Sequence, residues 1–152
     1  MTETNCELVE AKFPEEWKYL HELRRSELFK PKHTPYNPDH PANYASGRFT
    51  LLLKFNGKYI GTASLDVLGD GNGVIRVVAI TKEEQGKGHG RILEEKFEAF
   101  AYKKGITKLF VNANKEAVEF YKKLGYVFES WDDSANTLTD DSVQMSKVLA
   151  VK

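Results

Sequence analysis

The sequence has almost no cysteine. Cys6 is the only one in 152 residues, so no disulfide forms within the chain and a zinc site built on several cysteines is excluded. Excess charge of either sign is missing too, since 22 Lys and Arg balance 22 Asp and Glu. A dedicated nucleic-acid binder needs cations to neutralise phosphates, so nucleic acid is not an expected partner. Met1–Glu10 carries acids and no long apolar run. That fits neither a secretion signal nor a membrane anchor, and the expected setting is the cytoplasm, away from the membrane. Proline is scarce outside one segment. Four of the five lie at Pro31, Pro35, Pro38 and Pro41, a spacing that breaks helices and strands alike and makes 31–47 an irregular crossing. Internal repeats, low-complexity tracts and interdomain linkers are absent.

What is present suits one globular domain over residues 1–152, with 41% hydrophobic residues to build a core. Cys6–Ala11 reads as a short strand. Pro14 sits where a first helical turn tolerates it, and Trp17, Leu20, Leu23 and Leu28 carry a helical stripe to about Phe29. Phe49–Phe55 and Tyr59–Leu68 flank Asn56-Gly57, a hairpin signal because both turn residues need positive φ. A five-residue turn, Gly69–Gly73, leads into the β-branched run Val74–Ile80, the pattern of a buried central strand. Gly90–Lys104 is helical, with Gly105 as its stop; Lys108–Ala113 is a strand; Asn114–Leu124 is helical, stopped by Gly125. Tyr126–Trp131 and Val143–Leu149 are the last strands. The order is a meander, one strand-helix-strand crossover that makes Val74–Ile80 and Leu109–Ala113 parallel neighbours, then a helix and a hairpin. This is an α+β, mixed-sheet architecture.

Between the central strand and the following helix lies Gln85-Gly86-Lys87-Gly88-His89-Gly90. Alternate glycines let the backbone approach a ligand closely. The helix start that follows has unpaired N–H groups and the positive end of a dipole, which together suit a phosphate or pyrophosphate. Lys87 and Arg91 add charge. A P-loop is ruled out because no Ser or Thr follows Lys87, and the dinucleotide fingerprint fails because Arg91 stands where its third glycine belongs.

The residues Gln85, Gly88 and Gly90 instead match the signature [QR]-x-x-G-x-[GA] of the GNAT superfamily of N-acetyltransferases. A later segment, Asn114–Tyr126, resembles that family's N-x-x-A-x-x-F-Y-x-K-x-G-[FY] stretch, and Val143–Lys147 resembles its closing strand. The resemblance covers about residues 50–149. It implies a central, mostly antiparallel sheet of six to seven strands flanked by about four helices, with the two parallel strands splayed apart. It also implies acetyl-CoA as co-substrate and no metal. Carried over, Val78, Ala79 and Ile80 face the pantetheine arm, and Gln85, Gly86, Lys87, Gly88, His89, Gly90 and Arg91 hold the pyrophosphate. Asn114 contacts the cofactor, though an asparagine at a helix start is also a favoured cap; Asn112 is a lesser candidate of the same kind. Tyr121 matches the tyrosine that protonates or hydrogen-bonds the departing sulfur. A thiol near 8.5 and a phenol near 10 make that transfer only mildly uphill.

The implied reaction is direct acetyl transfer to a primary amine of a small molecule or peptide. The alternative is a non-catalytic acyl-CoA-binding or sensing domain, for which a proton donor at Tyr121 has less use. A lysine-type amine, near 10.4, is free base in only about one molecule in two thousand at pH 7, so a general base is expected. The central strand offers Arg76 and no carboxylate. Candidates are His33, His40, Asp66 and Glu129, with His40 preferred because histidine titrates near neutrality and the proline-rich crossing often covers the acceptor site in the family. Asp132, Asp133, Asp140 and Asp141 could attract a cationic acceptor, and Tyr36, Tyr44 and Trp131 could line its pocket. A monomer or homodimer is expected.

Overall fold

The computed structural model of the chain describes residues 6–24, 47–81, 85–86, 88–131 and 142–149, with backbone alone at Val77. The elements are β1 (Cys6–Glu10), α1 (Pro14–Arg24), β2 (Arg48–Phe55), β3 (Lys58–Gly69), β4 (Asn72–Ile80) and α2 (His89–Lys103). They continue with β5 (Lys108–Asn114), one 3-10 turn (Lys115–Ala117), α3 (Val118–Lys123), β6 (Val127–Phe128) and β7 (Ser142–Val148). The seven strands among the described residues form one sheet in the order β1-β2-β3-β4-β5-β7-β6. Every pairing is antiparallel except that of β4 with β5. The α+β, mixed-sheet expectation holds. None of the described helices is long and apolar enough to cross a membrane.

Local chemistry sets the meander. Asn56 and Gly57 take φ of 50° and 80°, the paired positive values that match the twist of flanking strands. Phe55 then lies opposite Lys58. Asp70 and Gly71 repeat the device with φ of 55° and 80°, so the expected five-residue turn is only two residues long. Gly69 and Asn72 pair across it as strand residues.

Alternation along the strands sorts side chains to two faces. Leu51 and Leu53 join the main core with Leu93, Phe97 and Ala101 of α2 and Leu109, Val111 and Ala113 of β5. Leu52 points the other way and packs with Leu20 and Leu23 of α1. Each of these leucines is sealed from solvent or nearly so, worth about 1.5–3 kcal/mol apiece in burial. The sheet is therefore covered by α2 and α3 on one face and by α1 on the other. At the start of α1 the Glu16 carboxylate accepts the Lys12 and Phe13 N–H groups at 2.7 and 2.9 Å, which anchors Pro14 as its first residue.

Two expectations are corrected. The helix expected over Asn114–Leu124 is a strand end, a 3-10 turn and a short α3, because Asn114 stays in the ladder opposite Ser142. The strand expected over Tyr126–Trp131 is only Val127–Phe128. Three α-helices lie among the described residues, in keeping with the approximate count expected. The extension of α1 to Phe29 and most of the proline-rich crossing lie outside the described residues.

The parallel pair is short. β4 and β5 pair at Asn72–Lys108, Gly73–Leu109 and Val74–Phe110 and no further. β4 nevertheless runs on to Ile80, and β5 to Asn114. The cause is visible on both sides. Between Thr62–Ala79 and Ser64–Arg76, β4 carries two residues, Val77 and Val78, where β3 carries only Ala63. Such a bulge bends the strand that holds it. β5 is meanwhile held in register with β7 along its whole length, from Lys108–Val148 to Asn114–Ser142. One strand turns away and the other does not, and a cleft opens between them.

Candidate active site

The open end of β4 leads directly into the glycine-rich turn. Ala79 is buried there, and Val78 and Ile80 are half-buried. Gly61 lies opposite Ile80, where a Cβ would meet the Ala79 carbonyl oxygen at 3.1 Å; the absence of a side chain lets β3 hold the end of β4 closely. The Gln85 side-chain amide donates to the Ile80 carbonyl at 2.8 Å, tying the turn back to the strand. Gly86 and Gly88 have φ of 81° and 87°. That left-handed conformation turns successive backbone groups outward, and nothing lies within 4 Å of where either Cβ would be.

Gly88 is the N-cap of α2 and brings no side chain to its first N–H groups, and the first turn holds no acidic residue. The positive end of the helix thus opens on the space beside Gly86 and Gly88. Gly90 serves a different purpose. Its Cα faces the Phe120 ring, 3.5 Å from where a Cβ would stand, so it sets the approach of α3 to α2. His89 is buried and its ring lies 4.6 Å from that of Phe55; only its backbone is left for the turn. Arg91 is exposed and paired with Glu95 at 3.2 Å. Lys87 lies outside the described residues.

Asn114 ends β5 on the far side of the cleft, exposed, and its side chain makes no capping hydrogen bond. Asn112 is half-buried on the same strand, opposite Gln144. Tyr121 is buried on α3. Burial, followed by the charge of Glu94, raises its phenol above the ordinary value, so at neutral pH it is a protonated donor. The ordinary phenol value therefore understates how firmly Tyr121 holds its proton. Tyr121 is fixed by its surroundings. Its ring meets those of Phe120 and Tyr126 edge-on at 5.3 and 5.1 Å, and its carbonyl accepts the Tyr126 N–H at 3.0 Å as the chain leaves α3.

Of the base candidates, Asp66 is bound by two arginines. Arg48 donates to both its oxygens, and Arg76 Nε lies at 2.6 Å. Burial pushes the carboxyl up, but the hydrogen bonds and charges of Arg48 and Arg76 outweigh it and hold Asp66 below the usual carboxylate range. Glu129 is similarly occupied, by Ser146 and by Lys108 at 3.0 Å, and is likewise lowered, chiefly by the Ser146 hydrogen bond. Neither carboxylate is suited to taking a proton from an amine near neutrality. His33, His40, Tyr36, Tyr44 and the four aspartates from Asp132 to Asp141 lie outside the described residues. Trp131 stands on the α1 side of β5, 5.3 Å from Phe110.

Two features were not anticipated. One is the polar row on the α1 face, where Arg24 donates to Ser64 at 3.0 Å beside Arg48, Asp66 and Arg76; the alternation Thr62-Ala63-Ser64-Leu65-Asp66 carries its signal. The other is Glu94, only 1% exposed on α2, whose carboxylate accepts the Tyr126 hydroxyl at 2.8 Å. Its spacing from Phe97 and Ala101 puts it on the buried stripe of that helix.

The profile of the acetyltransferase (GNAT) family matches residues 17–126, a span that includes the cleft strands, the glycine turn and α3. The chain belongs to the GNAT acetyltransferase family. Solved structures agree on the fold. An acyl-CoA N-acyltransferase from Pseudomonas aeruginosa superimposes with a TM-score of 0.77 at 17% identity, covering 94% of this chain and 99% of that one. The ribosomal-protein-S18-alanine N-acetyltransferase of Escherichia coli gives 0.74 at 16%, covering 97% and 96%. N-acetylglutamate synthase from Neisseria gonorrhoeae, complexed with coenzyme A and L-arginine, gives 0.74 at 19%, covering 95% of this chain and 33% of that one. Membership of the GNAT family supports an N-acetyltransferase, and it leaves the acceptor to chemistry.

Proposed function

We propose that this GNAT protein transfers the acetyl group of acetyl-CoA directly to a primary amine. The observation that carries the reading is the break in the β4–β5 pairing after Val74–Phe110, with an uncapped helix start at its mouth. The residues present fit the co-substrate. Past Val74 the β5-facing edge of β4 carries peptide groups that β5 does not take up, and a pantetheine arm has amides to pair with them. Val78 and Ile80 are the backbone partners in this reading, and the amides of Gln85–Gly90 hold the pyrophosphate, with Lys87 and Arg91 adding charge. Asn114 faces the arm from the other strand. Bound acetyl-CoA supplies the thioester carbonyl that the amine attacks.

The chain's own residues then have four tasks. The cleft walls exclude water and align the two reactants, which replaces a bimolecular encounter by a positioned one. Backbone N–H groups of the splayed β4 stabilise charge on the carbonyl oxygen. The Tyr121 hydroxyl hydrogen-bonds the departing sulfur. His40 is retained as the proposed base, now that Asp66 and Glu129 are committed to ion pairs.

A thermal-shift series with acetyl-CoA, coenzyme A and longer acyl-CoAs tests the first step, and stabilisation by acetyl-CoA is expected. No shift with any of them would refute the cofactor site. Thiol release over a library of amines then identifies the acceptor, and the pH–rate profile of His40→Ala tests the base: an unchanged acidic limb would remove His40.

A further inference from the structure

We propose that Glu94 is a positioning residue for acetyl transfer: its carboxylate, fixed by the Tyr126 hydroxyl, stands in one buried cluster with Tyr121 and acts through that residue. The inference rests on Tyr121 acting at the sulfur. Its geometric basis is one closed cluster. Glu94 lies inside the protein, the Tyr126 hydroxyl donates to it at 2.8 Å, and the Tyr126 ring meets Tyr121 edge-on at 5.1 Å. The Tyr126 N–H to Tyr121 carbonyl bond, 3.0 Å, locks the two tyrosines to one helix end.

The charged and titratable groups that face Glu94 come from each neighbouring element. They are Tyr121 on α3, Tyr126 after it, Glu98 on α2 itself and Lys147 on β7. Lys147 is held by Glu98 and by the Leu124 carbonyl at 3.0 and 2.6 Å, so its charge is shared and Glu94 is not neutralised by it. Burial first, and Glu98 after it, raise the Glu94 carboxyl to about 7 against the Tyr126 hydrogen bond and Lys147. The charge of the cluster therefore changes near neutral pH. With Glu94 protonated, the Tyr121 hydroxyl donates more readily to sulfur. With Glu94 ionised, the like charge that a donating phenol develops is opposed.

The test is the ratio of kcat for Glu94→Gln to kcat for wild type across pH 5.5–9. Ionisation of the acceptor and of any other base is common to both proteins and cancels. The ratio is expected near one below pH 6, rising about three- to tenfold above pH 8 as Brønsted behaviour of the donor predicts. In a Tyr121→Phe background the same ratio stays flat. A flat ratio in the presence of Tyr121, or an equal rise in its absence, overturns the inference. If Tyr121→Phe alone keeps wild-type turnover, it is the Tyr121 reading that has failed. Tyr126→Phe supplies a second variant should Glu94→Gln not fold. It removes the bond that favours the carboxylate, so the fall in wild-type kcat attributable to Glu94 moves to higher pH; an unmoved or lowered inflection overturns the proposal.

Discussion

Replacing Glu94 by Gln should make the protein more stable at pH 8 and leave it unchanged near pH 4.5. The carboxyl is raised from an ordinary value of 4.5 to about 7, which means that the folded chain holds this proton more tightly than the unfolded one. Stability from that proton is fully present below the unfolded value and is lost as pH rises through the folded one. Each pH unit across the interval costs about 1.4 kcal/mol, so the whole loss is roughly 3 kcal/mol. In a chain of this size that is about 6–12 °C in Tm. Glutamine has the size of the acid and still accepts the Tyr126 hydroxyl, but it cannot ionise. Thermal and urea melts of both proteins, followed by circular dichroism at half-unit steps from pH 4.5 to 8.5, give the difference directly. The gap should open between pH 5 and 7.5 and then level off. A gap independent of pH would refute the reasoning, because it would show a carboxyl that is either solvated or never ionised over the range.

Tyr121→Phe should lower kcat about a hundredfold with a Tm close to wild type, since the hydroxyl is the only atom removed; unchanged turnover in steady-state assays would dismiss it as the sulfur's partner. Gly88→Ala meets no clash but must hold φ at 87°, a strain of about 1–2 kcal/mol, so calorimetry should show weaker acetyl-CoA binding together with a lower Tm. Asp66→Ala removes the carboxylate shared by Arg48 and Arg76, whose side chains are only 11% and 10% exposed, and should cost about 3 kcal/mol in urea unfolding. Because the Asp66 carboxyl is held below its ordinary value of 3.8, that contribution is present above this value and disappears as pH falls through the lower one. The penalty of Asp66→Ala should therefore shrink in acid.

The elements whose signals are local were readable in advance. Asn56-Gly57 announces its turn, Gly105 and Gly125 end their helices, and Leu93, Phe97 and Ala101 mark the buried stripe of α2. What escaped depends on register between distant residues. The Val77-Val78 bulge opposite Ala63 leaves no trace in the run Val77–Ile80, which is apolar at every position, since an extra residue in such a run breaks no alternation. Asn114 has the chemistry of a helix cap, but its ladder position opposite Ser142 keeps it in β5. Asp66 and Glu129 were candidate bases only while their partners were unknown; Arg48 lies 18 residues from Asp66 and Ser146 lies 17 from Glu129. Glu94 is the instructive case. It stands next to Glu95 as if on a solvated face, yet Glu95 is exposed and Glu94 is buried, because one residue is a rotation of about 100° around the helix.

The two-residue turns of the meander also bear on how the molecule assembles. β2, β3 and β4 meet across turns at Asn56-Gly57 and Asp70-Gly71, so their contacts close early and at small entropic cost. The joint between β4 and β5 spans α2, and that between β5 and β7 spans the 3-10 turn, α3 and β6. The three parallel pairs at Asn72–Val74 are thus expected to close late, between an early-forming half, with β4 and its bulge, and a late-forming half, with β5, α3 and Tyr121. Mutations in β2 or β3 should slow refolding, whereas equal destabilisation in β7 should mainly speed unfolding. The cleft between β4 and β5 would then run along a kinetic boundary of the fold.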